Sequence, residues 1–275
     1  MTHEQKVRRW ISPGKIGVEI GAFTRPVPGI TPFYVDCFTE FGFESVKADY
    51  YGHACLLPFR DNSLDYVVSS HVLEHVANPV SALKEWYRVL RPGGLIYMVV
   101  PDRRFTWDRP RALTPVEHML EDFNRGTTAS DATHIDDFAR GIDWSGFSPA
   151  TPPADVPAKQ EEMARGMHQA VARGEQVNIH FHVFEPSNVL ALVEALRTSP
   201  QAPFRWRVVD QAERFPDGFA NGFLVIIQVN KRLCDHIEGF WHYLITRSEK
   251  KHPLRADALP FTEFQRTCQG IGGVK

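Results

Sequence analysis

The sequence of 275 residues has few cysteines, no strong excess of either charge and no long apolar run. Its four cysteines are far apart and form no C-x-x-C pair, which excludes a zinc ribbon or a dithiol redox motif. The formal net charge of −2 gives no positive field that would attract nucleic acid. The longest apolar runs are too short to span a bilayer, and the N-terminal segment is charged. These absences predict a cytoplasmic protein that binds neither nucleic acid nor a membrane.

Short β-rich runs alternate with turns and helical patterns along the first hundred residues. The predicted strands there are 16–20, 33–38, 45–49, 65–69 and 95–100. A helical apolar spacing over 79–90 ends at Arg91-Pro92-Gly93-Gly94, a strong helix terminator. Such alternation predicts an α/β fold with a parallel sheet, whose ligands bind at the carboxyl ends of the strands.

The pattern breaks after residue 102, and the break divides the chain into four parts. Residues 1–102 form the predicted core, and 103–178 a helical lid or substrate-binding insertion with helices at 115–123 and 159–172. Residues 179–230 complete the core with strands at 179–184, 204–209 and 223–229 and a helix at 186–197 capped by Ser187 or a neighbour. The tail, 231–275, is expected to begin as a helix and either to cover the core or to pair two subunits in a homodimer.

The first predicted strand ends in a single glycine, Gly21. A glycine at this position lets the backbone approach a ligand closely, because it has no Cβ. A dinucleotide fingerprint would require G-x-G-x-x-G with a helix directly behind it, whereas this loop continues with Ala22, Phe23 and two prolines. NAD and a P-loop nucleotide are therefore excluded.

Three motifs then follow in order: LPFRDNSLD at 57–65, HVLEH at 71–75 and RVLRPGGL at 88–95. Together they resemble segments of the class I S-adenosylmethionine-dependent methyltransferases, and the resemblance covers residues 15–102. It implies a doubly wound, mostly parallel seven-stranded Rossmann-like sheet and S-adenosyl-L-methionine as the cofactor. The chain departs from the family at the first loop, where E-x-G-x-G-x-G is replaced by Glu19-x-Gly21-Ala22-Phe23.

The resemblance also implies where the cofactor is held. Asp36, which ends the second strand, is the candidate acceptor for the ribose hydroxyls, and Asp49 is a second candidate for the ribose or adenine. The residues expected around the rest of the cofactor are Glu19, Gly21, Ala22, Phe23 and Arg25 in the first loop, His53 and Ala54 at the adenine, and Ser70 and His71 at the methionine portion. For either aspartate, a carboxylate that caps a turn is the alternative interpretation.

Histidines are the candidate general bases, because their pKa lies near neutrality and a hydroxyl acceptor must lose a proton. His134, His180 and His182 are predicted as catalytic, and the alternation in IHFHVF predicts that His180 and His182 share one face of a strand. Hydrogen-bonded histidines that support the lid, or a metal site formed with Glu117, are open alternatives. No metal site is assigned from the sequence.

A run rich in arginine follows the fifth strand, and Arg103, Arg104 and Trp107, with His118, are predicted to contact an anionic or aromatic substrate such as a sugar nucleotide. A salt-bridged loop that anchors the lid is the alternative. The sequence therefore predicts transfer of a methyl group to O or N of a small molecule, a natural product or glycan precursor. Two other functions stay open: a methyltransferase-like binding protein without turnover, and a zinc hydrolase using the H-x-x-E-H string at 71–75.

Overall fold

The computed structural model describes residues 2–41, 44–199, 204–218, 220–231 and 252–264. Its centre is a seven-stranded sheet in the order β5-β2-β1-β6-β7-β9-β8. The strands are β1 (Gly17–Ile20), β2 (Phe33–Asp36), β5 (Tyr50–Tyr51), β6 (Leu64–Ser70), β7 (Leu90–Pro101), β8 (Trp206–Phe215) and β9 (Gly222–Val229). The first five are parallel, and β9 and β8 complete the sheet antiparallel. A hairpin of β3 (Glu40–Phe41) and β4 (Glu44–Ser45) lies apart from this sheet.

Successive residues of a strand point to opposite faces of the sheet, so apolar side chains lie on both faces. Helices cover each face. Val67 packs in the larger core, under α2 (Pro79–Val89), α3 (Val116–Arg125) and α7 (Pro186–Thr198), whereas the neighbouring Val68 packs in the smaller core with Val7 of α1 (His3–Trp10). The chain passes from β1 to β2 on one side and returns to β6 on the other. The predicted doubly wound, mostly parallel sheet is therefore confirmed, and its switch point lies between β1 and β6.

The segment between β7 and α7 forms a helical insertion. It contains α4 (Ile135–Gly141), α5 (Trp144–Phe147) and α6 (Val156–Ala172) in addition to α3. The helices predicted at 115–123 and 159–172 are confirmed, with small shifts at their ends. The insertion has its own apolar cluster, in which Trp144 and Phe138 pack against Phe181.

Two predicted strands are wrong. Residues 45–49 do not form the third strand, because Glu44–Ser45 pairs in the hairpin and Tyr50–Tyr51 takes the place beside β2. Residues 179–184 form no strand at all. The amide of Phe181 donates to the carbonyl of Glu74, and that of Val183 to the Thr114 hydroxyl, so this segment bonds to loops and has no neighbouring strand.

Other elements differ in detail from the prediction. The helix α1 has a capping box with Thr2 and was not predicted, and α7 is capped by Glu185 rather than Ser187. The predicted helix at the start of the tail falls on 232–250, outside the described residues. Among the residues that the structure describes, no helix combines the length and apolar character needed to cross a bilayer.

Candidate functional site

A cavity of about 570 Å³ opens at the carboxyl ends of β1, β2 and β6, beside the switch point of the sheet. This is the place where open α/β sheets bind their ligands. Of the residues predicted at the site, those that line the cavity are Glu19, Gly21, Ala22, Phe23, Arg25, Asp36, His53, Ala54, Ser70, His71, Trp107 and His180. The core of the chain and the insertion therefore both contribute to one cavity.

The turn after β1 requires glycine. Gly21 has a φ of +64°, and a Cβ built on it would lie 2.7 Å from Cγ2 of Val72. A side chain there would be strained and would also collide with the loop after β6. The bare backbone thus keeps the floor of the cavity open.

Two buried carboxylates face this floor. Oδ1 of Asp36 accepts hydrogen bonds from the amides of Cys37 and Phe38, which fixes the side chain and leaves Oδ2 for a ligand. Oε1 of Glu19 accepts from the amide of Val27, but Oε2 is buried without a hydrogen-bond partner. Burial raises the pKa of Asp36 and raises that of Glu19 to about 7.

A histidine–aspartate pair lies at the cavity wall that the insertion provides. Nδ1 of His180 lies 2.5 Å from Oδ2 of Asp108, and the His180 ring packs on Trp107 with 4.0 Å between ring centroids. Asp108 is itself fixed by the fully buried guanidinium of Arg111 at 2.7 Å. A carboxylate on Nδ1 orients the imidazole and fixes its tautomer, which suits a general base.

Glu74 adds a second buried carboxylate beside this pair. It is 1% exposed, and neither of its oxygens has a hydrogen-bond partner. Burial disfavours its charge, but His71, His75 and His180 outweigh this and hold the pKa of Glu74 below its usual value. Ligand atoms of Glu74, His75 and His180 lie within 4.8 Å of one another, so these three could hold a metal ion.

The H-x-x-E-H string does not have the geometry of a helical zinc protease. It leaves β6 through His71, which has a φ of +55°, and Leu73–His75 form only one 3-10 turn. The two histidines at its ends therefore do not share the face of a regular helix, as that enzyme class requires.

Three residues predicted to bind ligands, Asp49, Arg103 and Arg104, lie outside the cavity lining. The carboxylate of Asp49 accepts from the amide of Tyr34 and stabilises the sheet edge. Arg103 bonds Glu185 at 2.5 Å and two carbonyl groups of its own loop, and Arg104 pairs with Asp102. Both arginines are therefore paired with carboxylates near the start of the insertion.

His118, His134 and His182 also lie away from the cavity, in a separate cluster. The prediction that His180 and His182 share one face is wrong, since the segment is not a strand. His182 instead faces the carbonyl of Ala77 at 3.2 Å. Glu117 is exposed on α3 and takes no part in the cluster.

Two acidic residues of this site, Glu74 and Asp108, were not predicted from the sequence. Glu74 stands inside the HVLEH motif, so the motif itself could have indicated it. Asp108 carries no such signal, because its pairing with His180 spans 72 positions and depends on the path of the insertion.

Residues 39–98 match the family model of a methyltransferase domain. This stretch of the chain is similar to a methyltransferase domain. A demethylmenaquinone methyltransferase of Staphylococcus epidermidis is 52% identical over 46 residues, which cover 17% of this chain and 19% of that protein. An uncharacterized 37.1 kDa protein of a Streptomyces fradiae transposon is 50% identical over 52 residues, or 19% of this chain and 14% of that protein. The chain thus matches less than a quarter of the length of these relatives.

Solved structures are similar to the chain at low identity. A SAM-dependent methyltransferase from Methanosarcina mazei has a TM-score of 0.47 and 17% identity, over 84% of this chain and all of that chain (100%). A SAM-dependent methyltransferase from Thermotoga maritima has a TM-score of 0.42 and 18% identity, over 83% of this chain and 88% of that chain.

The cavity fits S-adenosylmethionine, the cofactor that the resemblance to methyltransferases implies. Gly21 leaves room for a ligand against the backbone, and Asp36 has a carboxylate oxygen that can accept from ribose hydroxyls. The orphaned Oε2 of Glu19 gives a buried negative or acceptor group where the family also has a glutamate. Polar groups left unpaired inside a cavity are those that a polar ligand can satisfy.

Proposed function

We propose that this protein transfers a methyl group from S-adenosylmethionine to a hydroxyl or amine of a small molecule. The observation that carries the proposal is the single cavity that joins the Gly21 turn and Asp36 to His180 with its partner Asp108. When bound, the cofactor would supply an electrophilic methyl group on a positively charged sulfur.

The residues of the core would hold the cofactor. Oδ2 of Asp36 would accept from the ribose, and the His53–Ala54 backbone and side chains would border the adenine. Arg25 lines the cavity near the first loop and would pair with the amino-acid carboxylate. Glu19 and Glu74 line the same cavity, and the negative charge of Glu74 would stabilise the positive sulfur.

His180 would act on the acceptor. Its Nδ1 faces Asp108, so Nε2 is the nitrogen that can take a proton from a hydroxyl. Trp107 packs on this ring and would hold an apolar or aromatic part of the acceptor. Because Arg103 and Arg104 do not reach the cavity, the case for a sugar nucleotide is weaker than the sequence suggested. We therefore favour a natural product with a hydroxyl next to an apolar or aromatic group.

The cavity has to hold the cofactor and the acceptor together within about 570 Å³. This size favours a small acceptor over a macromolecule.

Isothermal titration with S-adenosylmethionine and S-adenosylhomocysteine tests the proposal. Wild type should bind both with one site per chain, and Asp36→Asn should weaken both by tenfold or more, which is about 1.4 kcal/mol. Asp49→Asn is the matched control, because it removes a carboxylate outside the cavity lining and should bind like wild type. No heat with either ligand, or equal affinity of Asp36→Asn, would contradict the cofactor site.

Transfer is tested separately with methyl-labelled cofactor and pooled small-molecule extracts. Label in a product confirms an enzyme, and its chemical class identifies the acceptor. Binding without transfer to any extract would favour the alternative of a binding protein without turnover, which the unusual Gly21-Ala22-Phe23 loop motivates.

A further inference from the structure

Three histidines and one aspartate meet outside the cavity, under the insertion. His118 and Asp122 lie one turn apart on α3, His134 caps α4, and His182 lies in the segment before α7. One ligand nitrogen of each ring lies within 4.8 Å of the other two. Oδ2 of Asp122 lies 3.4 Å from Nε2 of His118, 3.3 Å from that of His134 and 3.7 Å from that of His182.

The atoms at the centre of this cluster lack hydrogen-bond partners. Asp122 is 2% exposed and His134 is 4% exposed, yet Oδ2 of the aspartate and Nε2 of the histidine make no hydrogen bond of acceptable geometry. Nδ1 of His182 is also buried and unpaired. Leaving several polar atoms unpaired in one buried place is costly, and a bound ion is one explanation.

The charge of the cluster points to a cation. Among the described residues, no lysine or arginine forms an ion pair with Asp122. A neutral imidazole has the free lone pair that a metal needs, and the lone carboxylate supplies the negative charge.

Neighbouring groups hold these side chains in place, as they do in metal sites. The Thr127 hydroxyl donates to the other oxygen of Asp122 at 2.9 Å, and the carbonyl of Ala77 faces Nε2 of His182 at 3.2 Å. The side-chain amide of Asn78 donates to the Asp122 carbonyl. Outer partners of this kind orient ligands and fix the tautomer of a histidine.

We propose that His118, Asp122, His134 and His182 bind one zinc ion that cross-links three segments of the insertion. Three imidazole nitrogens and one carboxylate oxygen suit the tetrahedral preference of zinc, and four protein ligands leave no open position for catalysis. The ligands come from three segments, which are α3, the start of α4 and the connection to α7. The ion would therefore cross-link parts of the chain that sequence separates by more than sixty positions.

Metal analysis of tag-free protein tests this site. After removal of metal with a chelator and reconstitution with zinc alone, wild type should hold one zinc per chain after gel filtration. Its thermal midpoint should rise on reconstitution, because zinc binds the folded state. Wild type without stoichiometric zinc after reconstitution would overturn the proposal.

Variants locate the ion. His118 is half-exposed, so His118→Ala should fold and lose zinc affinity by more than tenfold; Asp122→Asn should do the same. His168→Ala removes a histidine of matched exposure on α6 and should keep full zinc content. His180→Ala, in the cavity cluster with Glu74 and His75, should also keep it.

The opposite pattern would refute the assignment. Zinc retained at wild-type affinity by His118→Ala but lost in His180→Ala would place the ion in the cavity. Cobalt(II) in place of zinc gives a second readout, since a tetrahedral site should show intense visible absorption and His118→Ala should lose it.

Discussion

The lining of the cavity and the anchor of the insertion handle buried charge in opposite ways. At the anchor, which comprises residues 102–111 with Glu185 and Asp137, charged groups are paired: Arg103 with Glu185, and Arg111 with Asp108 and Asp137. In the cavity lining, Oε2 of Glu19 is buried without a hydrogen-bond partner, and Glu74 has only the longer contacts with His71 and His75.

We interpret the paired residues as stabilising the fold and the unpaired ones as available to bind a ligand. A buried charge is compatible with a stable fold when an opposite charge pairs with it. An unpaired buried group lowers the free energy of unfolding until a ligand binds it. His180 belongs to both regions, because it bonds Asp108 of the anchor and faces the cavity. The following predictions test whether the two regions differ in this way.

The largest effect is expected at His180. Its replacement by asparagine should lower the turnover of a hydroxyl acceptor by about 100- to 10,000-fold, the usual contribution of a general base. Cofactor affinity should change little, because the base acts on the acceptor. Labelled methyl transfer and titration measure the two quantities separately, and His168→Ala, an exposed histidine outside the cavity, is the control that should keep turnover. Loss of cofactor binding in the His180 variant would show that His180 contacts the cofactor and not the acceptor.

The anchor should be sensitive to the loss of one partner. Arg111→Ala leaves Asp108 and Asp137 without a fully buried guanidinium and should lower the free energy of unfolding by about 3–5 kcal/mol. Arg140, which pairs with Asp136 and Glu161 at the surface, is the control; Arg140→Ala should cost less than about 1 kcal/mol. Urea unfolding measures both. Similar losses in the two variants would mean that the anchor is not a buried ion-pair network.

Glu19 should make stability depend on pH in a defined direction. Its pKa is raised by burial from 4.5 to about 7, so between these values the folded protein keeps a proton that the unfolded chain releases. The contribution of Glu19 to stability therefore falls as pH rises from about 4.5 to 7 and stays low above that. Without ligand, Glu19→Gln should gain up to about 3 kcal/mol relative to wild type between pH 4.5 and pH 8.

Urea unfolding at both pH values tests this prediction. The exposed Glu121→Gln should show the same small difference from wild type at each pH. A relative stability of Glu19→Gln that does not change with pH would show that Glu19 is not a strained group of the cavity.

The smallest expected effect distinguishes a steric clash from backbone strain when a glycine is replaced by alanine. Gly21 and Gly93 both have positive φ, so alanine at either should cost about 1 kcal/mol. Only at Gly21 would the new Cβ meet a neighbour, Val72 at 2.7 Å, whereas Gly93 has nothing within 4 Å. Gly21→Ala should therefore cost about 1–2 kcal/mol more and should weaken cofactor binding. Equal losses in unfolding and unchanged binding would show that the loop after β6 moves aside.

Local patterns predicted the sheet and the first half of the site. The run of apolar residues before Gly21 and the acid that ends β2 are signals confined to a few neighbouring positions, and their side chains line the cavity. The HVLEH motif also lies in a loop that lines the cavity. The strands follow from periodicity and turn chemistry, which act over short distances, whereas the roles of Asp36 and of the HVLEH motif were implied by the resemblance to the methyltransferase family.

The insertion could not be predicted in the same way. Residues 179–184 have the composition of a strand, but the described residues place no neighbouring strand beside them. The predicted strand therefore put His182 on the wrong face. The pairing of Asp108 with His180 depends on how the insertion folds back, which no local pattern encodes. The arginines after β7 have the composition of a phosphate site, yet nearby carboxylates neutralise them.

A crystal structure of the protein with S-adenosylhomocysteine tests the central claim most directly. We expect the carboxylate of Asp36 within hydrogen-bond distance of the ribose hydroxyls, the backbone of Gly21 against the ligand, and the sulfur directed towards Trp107 and His180. A ligand bound elsewhere, or one in this cavity whose ribose does not contact Asp36, would contradict the account.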